Sequence, residues 1–216
     1  MRTKEQIFEM LENPGVIAVV RAKTSEQVLP ITEALIAGGF RAVEVTMTTP
    51  NAIEAIRNAA ARFSNEASIG VGTVLNAETA RKAIDAGAEF LVSPITRAEI
   101  AQVANAAGRP VMLGTYTATE AQTAFEAGTD YVKLFPADTL GPAYIKALRA
   151  PLPHLRIVPT GGVSLDNIFE FFAAGCPAVG LGSSLLSKEI LEKNHWDKLR
   201  KVAVEFVGAA QLARKS

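Results

Sequence analysis

The chain has 216 residues, of which 49% are hydrophobic and 20% are charged, and this balance excludes an intrinsically disordered protein. Its 22 basic and 22 acidic side chains cancel, so no global field would attract nucleic acid or an anionic membrane surface. The single cysteine, Cys176, excludes an intrachain disulfide framework and fits a reducing compartment.

Along the chain, short apolar runs alternate with Ala-rich stretches of helical period, after a charged amphipathic start that predicts a helix. Eight runs are predicted as strands, at residues 16–21, 42–47, 68–73, 90–93, 111–114, 131–135, 156–160 and 178–182. Eight such β-α units with right-handed crossovers close into a barrel. We therefore predict a (β/α)8 TIM barrel with an extra N-terminal helix, as a single domain over residues 1–216.

The predicted helices carry stop and start signals that agree with this alternation. Ala-Gly pairs precede five strands, at residues 37–38, 86–87, 107–108, 127–128 and 174–175. Glycine there can adopt the left-handed conformation that ends a helix. At the helix starts, Asn76, Thr96 and Thr117 are predicted as capping residues.

Two charged residues fall on strand faces that the pattern predicts to be buried. In strand six, alternation places Lys133 on the face opposite Val132 and Leu134. A buried lysine is rare without a partner, and desolvation favours the neutral, nucleophilic amine that imine chemistry requires. In strand two, alternation places Glu44 on the face opposite Val43 and Val45, so its side chain is predicted to point to the same side of the sheet as Lys133. The two are predicted to share one site, with a purely structural ion pair as the alternative.

Glycine-rich segments follow the last two strands. Residues 159–164 read Pro-Thr-Gly-Gly-Val-Ser, and residues 180–184 read Gly-Leu-Gly-Ser-Ser. TIM barrels commonly bind phosphate at these two loops, through backbone N–H groups and a short helix N-terminus. We therefore predict a phosphorylated ligand.

Neither a membrane nor a metal is indicated. The start of the chain lacks an apolar signal-peptide core, and no segment is an uncharged span of membrane length, so a cytoplasmic protein with no membrane partner is expected. The two histidines, His154 and His195, lie far apart, and no His-x-x-x-His or Cys-x-x-Cys spacing predicts a metal site.

Seven segments, in their order and combination, resemble the 2-keto-3-deoxy-6-phosphogluconate (KDPG) aldolase and 4-hydroxy-2-oxoglutarate (KHG) aldolase family over essentially the whole chain. They lie at residues 19–21, 43–46, 70–75, 90–94, 133–136, 159–162 and 182–183. The resemblance implies a metal-independent class I aldolase on a (β/α)8 barrel. It implies no cofactor, because a lysine forms a covalent imine with pyruvate. It further implies a small phosphorylated 2-keto acid substrate and a homotrimer.

The resemblance also implies roles for individual residues. Lys133 matches the imine-forming lysine and Glu44 the general acid and base, while Arg21 and Thr73 match positions that bind the substrate carboxylate. The other matches are the pocket residues Pro94, Phe135 and Thr160 and the phosphate-binding residues Gly161, Gly162, Gly182 and Ser183. The implied reaction is reversible cleavage of KDPG to pyruvate and glyceraldehyde 3-phosphate, with cleavage of KHG to pyruvate and glyoxylate as a further activity.

Two departures from the family pattern concern the substrate. Some members carry an arginine four residues after the glutamate, where this chain has Thr48, so either Arg21 binds the carboxylate alone or the substrate preference differs. Members commonly have Pro-Gly at the end of strand five, where this chain has Leu113 and Gly114. Residues 115–116 then become candidate contacts to the sugar chain.

Three alternatives stay open at this point. An aldolase for 2-keto-3-deoxy-6-phosphogalactonate differs in the stereochemistry at C4. A phosphosugar isomerase or epimerase would share the glycine-rich loops but would not need an imine-forming lysine opposite Glu44. A non-catalytic assembly subunit would fit the Ala-rich helices and the neutral charge.

Overall fold

The protein forms a barrel of eight parallel strands. The structure is a computed structural model that describes residues 2–215, so Met1 and Ser216, the two ends of the predicted domain, lie outside the described residues. The strands are β1 Val16–Val20, β2 Ala42–Thr46, β3 Ser68–Gly72, β4 Leu91–Val92, β5 Val111–Thr115, β6 Tyr131–Leu134, β7 Ile157–Pro159 and β8 Val179–Leu181. Each pairs with its neighbour in sequence from β1 to β7, and β8 pairs with β1. A parallel bridge between Thr160 and Gly180 joins the β7 and β8 edges, which confirms the (β/α)8 barrel.

Helices cover the outside of the barrel and one of its ends. They are α1 Lys4–Glu12, α2 Val28–Ala37, α3 Ala52–Phe63, α4 Ala77–Asp85, α5 Ala98–Ala106, α6 Ala118–Glu126, α7 Gly141–Arg149, α8 Ile168–Ala173, α9 Lys188–Lys193 and α10 Trp196–Ala213. The predicted helix ahead of the first strand is α1. None of the helices within residues 2–215 is long and apolar enough to cross a lipid bilayer.

The predicted helix C-termini are confirmed, and so are two of the three predicted N-terminal capping residues. Glycines with positive φ follow the five predicted ends, at residues 39, 87, 108, 128 and 175. Side-chain oxygens of Asn76 and Thr117 accept hydrogen bonds from helix N–H groups, as predicted. The prediction for Thr96 was wrong, because its hydroxyl donates instead to the Gly114 carbonyl at 2.9 Å and α5 begins one residue later, after Arg97.

Strand alternation divides the apolar residues into an outer and an inner cluster. The outer cluster packs the strands against the helices and includes Val132 and Leu134. The inner cluster fills the barrel and consists of Ile7, Leu11, Ile17, Ala42, Phe90, Val92, Met112, Tyr131, Val158 and Ala178. In β6, Tyr131 and Lys133 therefore share the inward face, as predicted for Lys133.

The α1 helix closes the end of the barrel at which the strands begin. Its Ile7 and Leu11 are fully buried in the inner cluster. At the last residue of α1, the Glu12 carboxylate accepts hydrogen bonds from the Tyr131 hydroxyl and the Arg156 guanidinium. The guanidinium lies 4.4 Å from the Tyr131 ring centroid. Access to the interior is consequently left to the carboxyl end of the strands, where TIM barrels carry their sites.

Candidate active site

Lys133 and Glu44 lie inside the barrel near its open end. Only 6% of Lys133 and 3% of Glu44 is exposed. Their strands present them on the inward face, with Glu44 beside Val19 and Gly70 in the strand pairing. The positive charges of Lys133 and Arg21 both act on the Glu44 carboxyl group. The amine and the carboxylate therefore lie within electrostatic reach of each other inside the barrel.

The environment of Glu44 suits a group that exchanges protons. Burial raises the pKa of its carboxyl group above the ordinary value of 4.5, and the charges of Lys133 and then Arg21 offset part of that rise. Among residues 2–215, Oε1 of Glu44 is buried without a hydrogen-bond partner. A carboxyl group with a raised pKa can donate and accept protons closer to neutral pH than a solvated one.

Inward-facing glycines provide the space around these side chains. A Cβ on Gly72 would overlap the Glu44 carboxylate, and a Cβ on Gly114 would overlap the backbone of Pro94. Pro94 therefore lies directly over the end of β5, as a wall of the open end. Leu113, where family members commonly have proline, points outward. It is fully buried in the outer cluster and does not face the site.

The two predicted carboxylate binders sit at the rim. Arg21 is exposed and follows the last residue of β1, on the face shared with Ile17. Thr73 follows β3 and is half-buried, with φ of 59°. Left-handed backbone is strained for a β-branched residue, and such strain clusters where surrounding structure holds a functional group in place.

Thr48, at the position where some family members carry arginine, is exposed and has a hydroxyl partner. Its Oγ1 lies 2.8 Å from Oγ1 of Thr46, which is 1% exposed on the inward face of β2. At this position the chain therefore presents a pair of hydroxyl groups instead of a guanidinium. The bond between Thr46 and Thr48 was not predicted from the sequence.

The other predicted pocket residues, Phe135 and Thr160, follow the ends of β6 and β7. The Phe135 ring centroid lies 5.2 Å from Nζ of Lys133, within the range of a cation–π contact, although 38% of Phe135 is exposed. Thr160 is 7% exposed and packs against Gly180, where a Cβ would overlap its hydroxyl. Both residues therefore border the open end of the barrel.

The predicted phosphate loops are adjacent. Gly161 and Gly162 have φ of 91° and 74°, which glycine adopts without strain. Ser184 Oγ donates to the Val163 carbonyl at 2.7 Å and ties this loop to the one that carries Gly182 and the exposed Ser183.

Asn167 was missed by the sequence reasoning. Its side chain accepts from the Ser164 N–H and donates to the Gly162 carbonyl, both at 2.9 Å. The signal was an asparagine shortly after Gly-Gly-Val-Ser, a spacing at which side-chain amides brace turns. The glycine loop is thus held in one conformation from within.

Within residues 2–215, no three His, Cys, Asp or Glu side chains come together as metal ligands would. Cys176 is buried and unpaired, and burial raises the pKa of its thiol to about 12.

Sequence relatives are aldolases over most of the chain. The sequence model of the KDPG and KHG aldolase family matches residues 7–202. A 2-dehydro-3-deoxy-phosphogluconate aldolase of Treponema pallidum is 42% identical over 77% of this chain and 80% of its own. The 2-dehydro-3-deoxy-6-phosphogalactonate aldolase of Escherichia coli is 38% identical over 78% of this chain and 83% of its own.

Solved structures agree with the sequence relatives. KDPG aldolase from Legionella pneumophila, with pyruvate captured as a covalent carbinolamine, superposes with a TM-score of 0.85 at 30% identity, over 92% of this chain and 97% of that one. A cage designed by fusing symmetric oligomeric domains gives 0.86 at 35% identity, over 93% of this chain and 73% of that one. With the family model matched over most of its length, the chain belongs to the KDPG and KHG aldolase family.

Proposed function

We propose that this protein is a class I aldolase that reversibly cleaves KDPG to pyruvate and glyceraldehyde 3-phosphate, and KHG to pyruvate and glyoxylate. The observation that carries the proposal is the buried Lys133 amine in the same barrel interior as the buried, hydrogen-bond-deficient Glu44 carboxyl group. Membership of the chain in the KDPG and KHG aldolase family supports this class of reaction. The reaction so described requires no metal and no cofactor.

Lys133 supplies the nucleophile. Its neutral amine attacks C2 of the 2-keto acid, and the resulting carbinolamine loses water to give an iminium ion. When the C4 hydroxyl gives up its proton, the bond between C3 and C4 breaks and its electron pair moves toward the iminium nitrogen. The aldehyde leaves, and protonation of the enamine at C3 followed by hydrolysis releases pyruvate and regenerates the amine.

Glu44 moves the protons in these steps. A carboxyl group is needed as an acid when the carbinolamine loses water and as a base at the C4 hydroxyl. Its raised pKa makes both forms accessible, and the nearby positive charges of Lys133 and Arg21 stabilise the ionised form once the proton has left.

The remaining predicted residues bind the two ends of the substrate. Arg21 would bind the carboxylate by charge-assisted hydrogen bonds and Thr73 by its hydroxyl or N–H. The phosphate would lie on the backbone N–H groups of Gly161, Gly162, Gly182 and Ser183, at the two adjacent loops. Pro94, Phe135 and Thr160 would border the chain of carbons between them.

The proposal also covers the oligomeric state and the cellular location of the protein. We infer a homotrimer, supported by family membership and by the similarity to a chain used as a symmetric oligomeric domain. A cytoplasmic location stays a prediction.

A galactonate-series substrate is the alternative, because a relative 38% identical to this chain is a 2-dehydro-3-deoxy-6-phosphogalactonate aldolase. Comparison of kcat/KM for the two C4 epimers decides between these substrates. By contrast, a phosphosugar isomerase or a non-catalytic assembly subunit would not need an imine-forming lysine opposite Glu44.

The test of the proposal is trapping of the imine. Protein incubated with pyruvate and sodium borohydride should gain a reduced pyruvyl adduct, and peptide mapping should place it on Lys133. Lys133→Ala should lose the adduct, whereas Lys82→Ala, which removes an exposed lysine of α4 paired with Glu78, should keep it. Folded wild-type protein without an adduct would overturn the proposal in favour of the isomerase or assembly readings.

A further inference from the structure

The segment between β6 and α7, residues 135–140, contacts both parts of the proposed site. Its Phe135 ring lies 5.2 Å from Nζ of Lys133. Its Asp138 packs so closely on Gly162 that a Cβ on that glycine would overlap the Asp138 side chain. A shift of this segment would therefore change the spacing between the lysine and the glycine loop.

Tyr116 holds this segment from the neighbouring strand. It follows the last residue of β5, and its phenol oxygen lies 3.0 Å from Oγ1 of Thr139. Thr139 Oγ1 lies 3.3 Å from the Pro136 carbonyl, which can only accept. The Thr139 proton therefore goes to Pro136, and the Tyr116 hydroxyl donates to Thr139.

Tyr116 is itself fixed by the two helices beside it. Its N–H donates to the Glu120 carboxylate of α6 at 2.9 Å, and its carbonyl accepts from the Tyr144 hydroxyl of α7 at 3.1 Å. The ring borders a cavity of about 360 Å³ together with Pro94 and Phe135. Loss of its hydroxyl would consequently break a hydrogen bond without opening a void in the core.

Hydrogen bonds continue from the segment to the phosphate loops. The Ala137 N–H donates to the Thr160 carbonyl at 2.9 Å, and Ser184 Oγ donates to the Val163 carbonyl at 2.7 Å. The loops after β5, β6, β7 and β8 are thereby joined in series, with Tyr116 at one end.

We propose that Tyr116 is a positioning residue that, through Thr139, fixes the spacing between Lys133 and the phosphate loops, and so favours the phosphorylated substrate. This inference rests on the proposed function. KDPG would be held at both ends, by the imine and by the phosphate, so its fit depends on that spacing. KHG has no phosphate and is held at the imine end, so its fit does not depend on that spacing.

The experiment compares Tyr116→Phe, Thr139→Val and the double variant on both substrates. Each single variant should raise KM for KDPG about threefold to tenfold, as expected for one neutral hydrogen bond, and leave KM for KHG within about twofold. Thr139→Val already removes the bond to Tyr116 together with the one to Pro136, so the double variant should be no worse than Thr139→Val alone. Thr139→Ser should keep the wild-type KM, and Thr79→Val, in α4, should change KM for neither substrate.

Three results would overturn the inference. They are an unchanged KM for KDPG in Tyr116→Phe, an equal rise for both substrates, or an effect of Tyr116→Phe that Thr139→Val does not reproduce, which would mean direct contact with substrate. Borohydride trapping with pyruvate on the same samples separates the two proposals. All variants should form the adduct, and its absence from wild-type protein would remove the proposed function and this inference together.

Discussion

Gly72 lies directly against Glu44: a Cβ on this glycine would overlap Oε1 of the carboxylate and lie against the rest of the side chain. Gly72 is the last residue of β3 and has no positive φ, so the backbone conformation does not require glycine. The requirement comes from the neighbouring side chain. A larger residue here would force the carboxylate out of its buried position.

Gly72→Ala should therefore act through Glu44. The displaced carboxyl group could no longer reach the reacting atoms, and aldol cleavage should fall about a hundredfold or more, the usual contribution of a general acid or base. Lys133 is untouched, so the adduct with pyruvate and borohydride should still form, but more slowly, because loss of water from the carbinolamine also uses the Glu44 proton. Gly208→Ala is the matched control, since its Cβ would meet no atom within 4 Å. Equal turnover in the two variants would show that Glu44 tolerates the shift.

Glu44→Gln should separate binding from proton transfer. The amide keeps the size of the carboxyl group but cannot exchange a proton, so turnover of KDPG should fall about a hundredfold or more while pyruvate still binds. Steady-state kinetics and pyruvate titration measure the two effects. An unchanged cleavage rate would reassign Glu44 to a structural role beside Lys133.

The same variant should change how stability depends on pH. Because burial raises the pKa of folded Glu44 above its ordinary value of 4.5, the folded state holds this proton more tightly than the unfolded state. Its contribution to stability is then complete below pH 4.5 and is lost as pH rises through the folded pKa. Urea unfolding should show wild-type stability declining relative to Glu44→Gln as pH rises from 4.5. A constant difference would mean that folded and unfolded pKa values are equal.

The barrel and the faces of its strands were predictable because they follow from periodicity. The inward direction of Lys133 and Glu44 needed only alternation along apolar runs, and the ends of all eight strands lie within two residues of the prediction. The bond between Tyr116 and Thr139 was not predictable, because it joins residues 23 positions apart through loop geometry. The same holds for Glu12, whose partners Tyr131 and Arg156 come together only when α1 closes the barrel.

The phosphate assignment predicts a substrate-dependent effect at Ser183. This residue is exposed just after β8, so Ser183→Trp should fill the space beside the glycine loops without disturbing the core. KM for KDPG should rise about tenfold or more, as when a charge-assisted contact is lost, and KM for KHG should change much less. Ser64→Trp, at the exposed end of α3, controls for the added indole. A similar rise for both substrates would place the phosphate elsewhere.

Leu11→Ala tests whether α1 is part of the barrel core. Leu11 is fully buried in the inner cluster, at the end of the barrel opposite the open one, so the truncation leaves a cavity among Ile17, Tyr131 and their neighbours. The free energy of unfolding should fall by about 2–5 kcal/mol, the range for large-to-small changes in a core. Leu29→Ala, in α2 and 37% exposed, should cost less than about 1 kcal/mol. Urea unfolding gives both values, and borohydride trapping should give an undiminished adduct per folded molecule, because Lys133 faces the open end. If Leu11→Ala were as mild as Leu29→Ala, α1 would have to detach from the barrel before the strands unfold, and the closure of this end would contribute nothing to global stability.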